Sequence, residues 1–80
     1  MSTEQKELIG NVISHNRSKR KMTQQQLAGK SNLSRSYIAD IEAGRYAPSV
    51  KSLVSIANVL NLDLNFLLKL TEIHRIDKSE

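Results

Sequence analysis

Eighty residues without a cysteine make one small domain that has neither a disulfide framework nor a thiolate metal site. The polar start MSTEQKE does not resemble a signal peptide, and no apolar run approaches the roughly 18 to 20 residues of a membrane span, so a cytoplasmic protein is expected. A net charge of +4 and a pI near 9.7 favour an anionic partner.

Ser2 or Thr3 can cap a first helix, which extends to about Arg20 and carries Leu8, Ile9, Val12 and Ile13 as its apolar stripe. Arg17 lies four residues after Ile13, on the edge of that stripe, where a charge needs a partner. Arg17, Lys19, Arg20 and Lys21 form a basic run that suits a helix C-terminus as well as a polyanion. Met22 is a packing residue that leads into the next element.

Thr23 with Gln26 is a capping-box signature, and Leu27 and Ala28 supply the apolar positions of a short second helix. Asn32 can adopt the left-handed conformation that ends it. Ser34 can cap a third helix, which runs to Ala43 and stops at Gly44. Two short helices joined by so tight a turn make a helix-turn-helix unit. At about 100° per residue, Tyr37, Ile38 and Ile41 fall on one side of the third helix. Arg35, Ser36, Ala39, Asp40 and Ala43 fall on the other, a small and polar face such as a helix in a major groove requires. Any amphipathic helix has a solvent-facing side, so this face alone does not decide the matter. Charge adds to it: between Asn16 and Lys51 the only acids are Asp40 and Glu42.

Pro48 breaks the pattern, and Ser49 can cap a fourth helix whose buried face is Val50, Leu53, Val54, Ile56, Ala57 and Leu60. Asn61 ends it. Asp63 can cap a fifth helix with Leu64, Phe66, Leu67, Leu68 and Leu70. The chain is therefore expected to be all-α, five short helices with short connections, with a domain over residues 1–70. Residues 71–80 are expected to be a C-terminal extension that either continues the fifth helix before fraying or frays as a polar end. Phe66, Leu70, Ile73 and Ile76 can continue one apolar stripe and offer a dimer surface.

From Leu8 to Leu68 this pattern resembles the lambda repressor-like, Cro/cI-type helix-turn-helix family. The resemblance rests on Ile9 and Ile13, Thr23-Gln24, Leu27-Ala28, Leu33-Ser34 and Tyr37-Ile38. Ile41-Glu42, Gly44, Pro48-Ser49, Leu53, Ile56-Ala57, Leu60 and Leu67-Leu68 complete it. Lys21, Asn32 and Asn61 stand where the family usually places Gly, and Gly29 stands where it usually places a good helix former. The resemblance implies base contacts from Arg35, Ser36 and Asp40. It implies backbone contacts from Gln24, Tyr37, Arg45, Tyr46, Ser49 and Lys51, with Gln24 also bracing the reading helix. It further implies a salt bridge between Arg17 and Glu42.

Chemistry other than binding is not indicated. Asp40 and Glu42 are two apart on a helix and cannot work as an acid and base pair. His15 and His74 have no ligand partners at metal spacing, and there is no phosphate-binding glycine loop or nucleophile elbow. No enzyme activity, metal or cofactor is expected. The expected function is a sequence-specific double-stranded DNA-binding transcription regulator: a repressor, of prophage or mobile-element type, acting as a homodimer on an inverted repeat. The alternative is a protein-interaction module, an antitoxin or adaptor that keeps the fold for a regulatory protein partner.

Overall fold

The computed structural model describes residues 1–78, with side chains through Thr71. Five helices follow one another: α1 (Thr3–Lys19), α2 (Gln24–Ser31), α3 (Arg35–Glu42), α4 (Val50–Leu60) and α5 (Leu64–Lys78). There is no strand among the described residues.

Side-chain caps start these helices. The Gln5 amide donates to Ser2 Oγ at 3.1 Å and the Ser2 amide to Gln5 Oε1 at 2.8 Å, closing a capping box on α1. Thr23 and Gln26 form the same reciprocal pair on α2, at 3.0 and 2.8 Å. Ser34 and Ser49 accept from the amides of Tyr37 and Ser52, both at 3.1 Å, and Asp63 accepts from the Asn65 amide at 2.9 Å. Each such cap satisfies a donor the helix cannot, and is worth about 1 kcal/mol. The exits are left-handed. Lys21, Asn32, Asn61 and Gly44 have φ of 56°, 60°, 55° and 77°. Asn tolerates this conformation; Lys does so only at a cost.

The core takes residues from all five helices: Ile9 and Ile13, Leu27 and Ala28, Ile38 and Ile41, Leu53, Ile56, Ala57 and Leu60, then Leu67 and Leu70. Leu8 and Val50, expected on buried stripes, are exposed. The buried line of α1 runs through Gln5, Ile9 and Ile13, so Leu8 is rotated off it. Val50 is the first residue of α4, one turn before Leu53, its first buried leucine.

Gln5 is buried despite its polarity. Its Nε2 donates to the Leu70 carbonyl of α5 at 3.3 Å while its Oε1 serves the α1 cap. α1 also lies unusually close to the end of α3. A Cβ placed on Gly10 would run into the Ile41 carbonyl oxygen and stand 2.8 Å from that of Glu42. Only a glycine permits this approach.

Gly29 is the opposite case. It is exposed within α2, and a Cβ there would meet no atom within 4 Å. Gly29→Ala should therefore stabilise the fold by about 0.5–1 kcal/mol through helix propensity alone. Thermal unfolding should show the midpoint rising by roughly 4–8 °C per kcal/mol. A falling midpoint would mean that this face of α2 is packed after all.

Candidate nucleic-acid interface

α2 and α3 meet across the turn Asn32–Leu33–Ser34, and α3 is held from behind. Ile38 and Ile41 are fully buried. Beside them, Glu42 receives a two-pronged contact from α1: Arg17 Nε donates to Oε2 at 2.7 Å and Nη2 to Oε1 at 3.0 Å. Arg17 Nη1 donates to the Met22 carbonyl at 2.7 Å, and Gln24 Nε2 donates to Glu42 Oε1 at 3.0 Å. Arg17 and Glu42 together thus join the end of α1, the loop after it, the start of α2 and the end of α3. The Arg17 and Glu42 side chains are 15% and 6% exposed, so this is a largely desolvated ion pair. The Glu42 hydrogen bond raises the Arg17 pKa above its ordinary value, against the opposing push of burial. The two-pronged geometry suits arginine and not lysine.

The outward side of α3 carries Arg35 and Ser36, both exposed, and Asp40, which is partly buried. Tyr37 lies at the border, half-buried. Its ring tilts toward Tyr46, with centroids 6.4 Å apart. The Ser49 amide donates to the Tyr37 hydroxyl oxygen at 3.3 Å, which leaves the O–H able to donate outward. Burial pushes this phenol up, but hydrogen bonds with Ser52 and Ser49 outweigh it and leave the pKa below its ordinary value. Tyr46 and Lys51 are exposed. The Ser49 hydroxyl is already engaged, accepting from the Ser52 amide and donating to Ser52 Oγ at 2.9 Å.

Two further placements concern residues singled out in the sequence. Arg45, beyond Gly44, is tied back to α3: its Nε donates to Asp40 Oδ1 at 3.0 Å, and its amide donates to the Asp40 carbonyl at 2.9 Å. Leu70, expected on a dimer surface, is 8% exposed and belongs to the core, and its carbonyl accepts from Gln5 of α1. Phe66 is 49% exposed, while the side chains of Ile73 and Ile76 lie outside the described residues.

The ion pairs also shape the field. Residues 16–51 hold eight cations and two acids. Both acids are paired with arginines, Asp40 with Arg45 and Glu42 with Arg17. Lys19, Arg20, Lys21, Lys30, Arg35 and Lys51 remain as unbalanced positive charge around the two helices. Such a field attracts a polyanion and makes its binding salt-dependent. Among the described residues no cluster of His, Cys, Asp and Glu is arranged to hold a metal, and no helix is long and apolar enough to cross a membrane.

Comparison with known proteins agrees with this architecture. A helix-turn-helix family model matches residues 16–67. The chain is 43% identical over 70 residues to the ImmF control region 10 kDa protein of Bacillus phage phi105, covering 88% of this chain and 77% of that one. It is 49% identical over 57 residues to the immunity repressor protein of the same phage, covering 71% of this chain but only 40% of the repressor. Among solved structures, the clp gene regulator ClgR from Corynebacterium glutamicum shares the fold, with a TM-score of 0.75 at 23% identity over 94% of this chain and 80% of that one. The matched region contains α2, the turn and α3 together with Arg17 and most of the core around them. On that ground the chain belongs to the lambda repressor-like helix-turn-helix family of DNA-binding transcription regulators, which are not enzymes.

Proposed function

We propose that this protein is a sequence-specific repressor that binds an inverted-repeat operator as a homodimer in the cytoplasm of a cell carrying a prophage or related mobile element. The observation that carries this reading is the two-sided construction of α3. One side is fixed by Ile38, Ile41 and the Arg17–Glu42 pair, while Arg35 and Ser36 stand exposed on the other within a basic surround. A rigidly held helix with a polar outer face is what base-edge recognition in a major groove requires. The likeness to an immunity repressor and a control region protein of a phage supports the repressor role and the mobile-element setting.

In this reading Arg35 and Ser36 meet base edges. Gln24, Tyr37, Tyr46, Ser49 and Lys51 lie along the phosphate backbone, Ser49 through its position more than through its already engaged hydroxyl. Backbone contacts set register and base contacts set sequence. One reading helix covers a few base pairs, so two copies on half-sites about one helical turn apart supply the rest. Of the residues proposed for that pairing, Phe66 on α5 is exposed.

Selection of bound duplexes from a random pool tests the reading directly. A palindromic consensus whose binding weakens steeply with salt is the expected result. Footprints confined to a single unrepeated half-site would overturn the dimer. A stable complex with a co-encoded protein and no DNA shift would favour the interaction module instead. Arg35→Ala should cost about 1–3 kcal/mol on the selected site and relax preference at one position of each half-site. If affinities for a panel of single-base variants all drop by one factor, Arg35 contacts phosphate and not a base.

A further inference from the structure

The Asp40–Arg45 pair lies on the outward side of the reading unit, and its geometry fixes which atoms remain for a ligand. Arg45 spends Nε on Asp40 Oδ1, at 3.0 Å. Its side chain is still 66% exposed, so the two Nη groups project outward as a fork of donors. Asp40 keeps Oδ2 as an acceptor beside that fork. The backbone reinforces the arrangement, since the amides of Arg45 and Tyr46 both donate to the Asp40 carbonyl, at 2.9 and 3.4 Å. The loop is thereby wound onto the last turn of α3, and a side chain that would otherwise sweep through solvent is oriented.

The outward face of the pair is thus two donors next to one acceptor. In the major groove, a G·C pair presents two acceptors, guanine N7 and O6, next to one donor, cytosine N4–H. The patterns are complementary. An A·T pair places a donor, adenine N6–H, between two acceptors and does not match. Charge points the same way. A lone carboxylate is repelled by a polyanion, whereas a carboxylate neutralised by an adjoining guanidinium can enter the groove.

We propose that Asp40 and Arg45 act as one composite reader of a G·C base pair, which makes Arg45 a specificity residue and not a phosphate contact. The proposal rests on the DNA-binding reading of α3 and names part of its sequence preference.

The test is a matrix of affinities. Wild type, Asp40→Ala, Arg45→Ala and the double variant are titrated with the selected site and every single-base-pair variant of it. Unchanged thermal midpoints identify the variants as folded, which the exposed position of the pair favours. Wild type should prefer G·C over A·T at one position of each half-site by about 10- to 100-fold. Each single variant should lose that preference at the same position, and the double variant should lose little more than either single one. Two results overturn the proposal. In one, Arg45→Ala weakens every duplex by the same factor. In the other, the two variants relax different positions. If wild type selects no sequence from a random pool, the regulator reading fails as well, and the composite reader with it.

Discussion

Glu42→Ala is expected to lower stability by about 2–4 kcal/mol. Removing one member of a buried ion pair leaves the other charge without compensation, and the cost reaches several kcal/mol when the site is dry. Here one deletion strands three donors: Arg17 Nε, Arg17 Nη2 and Gln24 Nε2. The midpoint of urea unfolding should fall with no change of slope, because the surface exposed on unfolding is nearly the same. Arg17→Ala should be comparably damaging, since it leaves a carboxylate that is 6% exposed. Replacing both residues, Arg17→Met with Glu42→Leu, should recover part of the loss, as apolar pairs often equal buried ion pairs in stability, while Gln24 Nε2 and the Met22 carbonyl still lack their partners. DNA affinity need not recover in parallel, because the apolar pair lacks the hydrogen bonds that set the angle of α3 against α1. If Glu42→Ala and Arg17→Ala both leave the midpoint unchanged, the pair does not tie the helices.

Gly10→Ala should be the other severe change, at about 3 kcal/mol. The added methyl would meet two backbone carbonyl oxygens, those of Ile41 and Glu42, which cannot rotate aside as a flexible side chain could. α1 would have to withdraw from α3, loosening Ile9 and Ile13 against Ile38 and Ile41. A chain of this size has a total stability of only about 4–12 kcal/mol. The comparison with Gly29→Ala is instructive, since the same substitution in α2 should stabilise. Parallel denaturant titrations of the two variants check both signs. A Gly10→Ala protein as stable as wild type would show that the helices can separate at no cost.

These two residues differ in how far the sequence announces them. Arg17 is legible because it sits four residues after Ile13, on the edge of an apolar stripe where a charge needs a partner, and the family resemblance names Glu42 as that partner. Gly10 is not, because its role depends on how closely α1 approaches Ile41 and Glu42, which lie about thirty residues further along the chain. The fold itself was legible at the level of local chemistry. Ser and Thr caps, left-handed Asn and Gly exits and the helical period are all short-range signals, and they locate all five helices. What escaped was set by three-dimensional neighbours. Gln5 carries no mark of burial in the sequence, yet it is buried and its amide donates to the Leu70 carbonyl of α5. Leu70 continues a stripe that suggests an outer surface, yet it is buried in the core. On the reading face, Arg35 and Ser36 stand where the helical wheel puts them, whereas the Arg45–Asp40 pair depends on a loop curling back onto its helix.

The division of α3 into a fixed side and an outward side has an evolutionary consequence. Arg35, Ser36 and Ala43 are exposed. Mutations at these three positions are therefore nearly neutral for folding, and selection can rewrite them without a rescuing change in the interior. On the proposed DNA-reading role of this face, a diverging lineage can move to a new binding site by small steps along it while Arg17, Gly10, Ile38, Ile41 and Glu42 stay in place. The same separation makes the chain a scaffold onto which the outer residues of another reading helix can be transplanted.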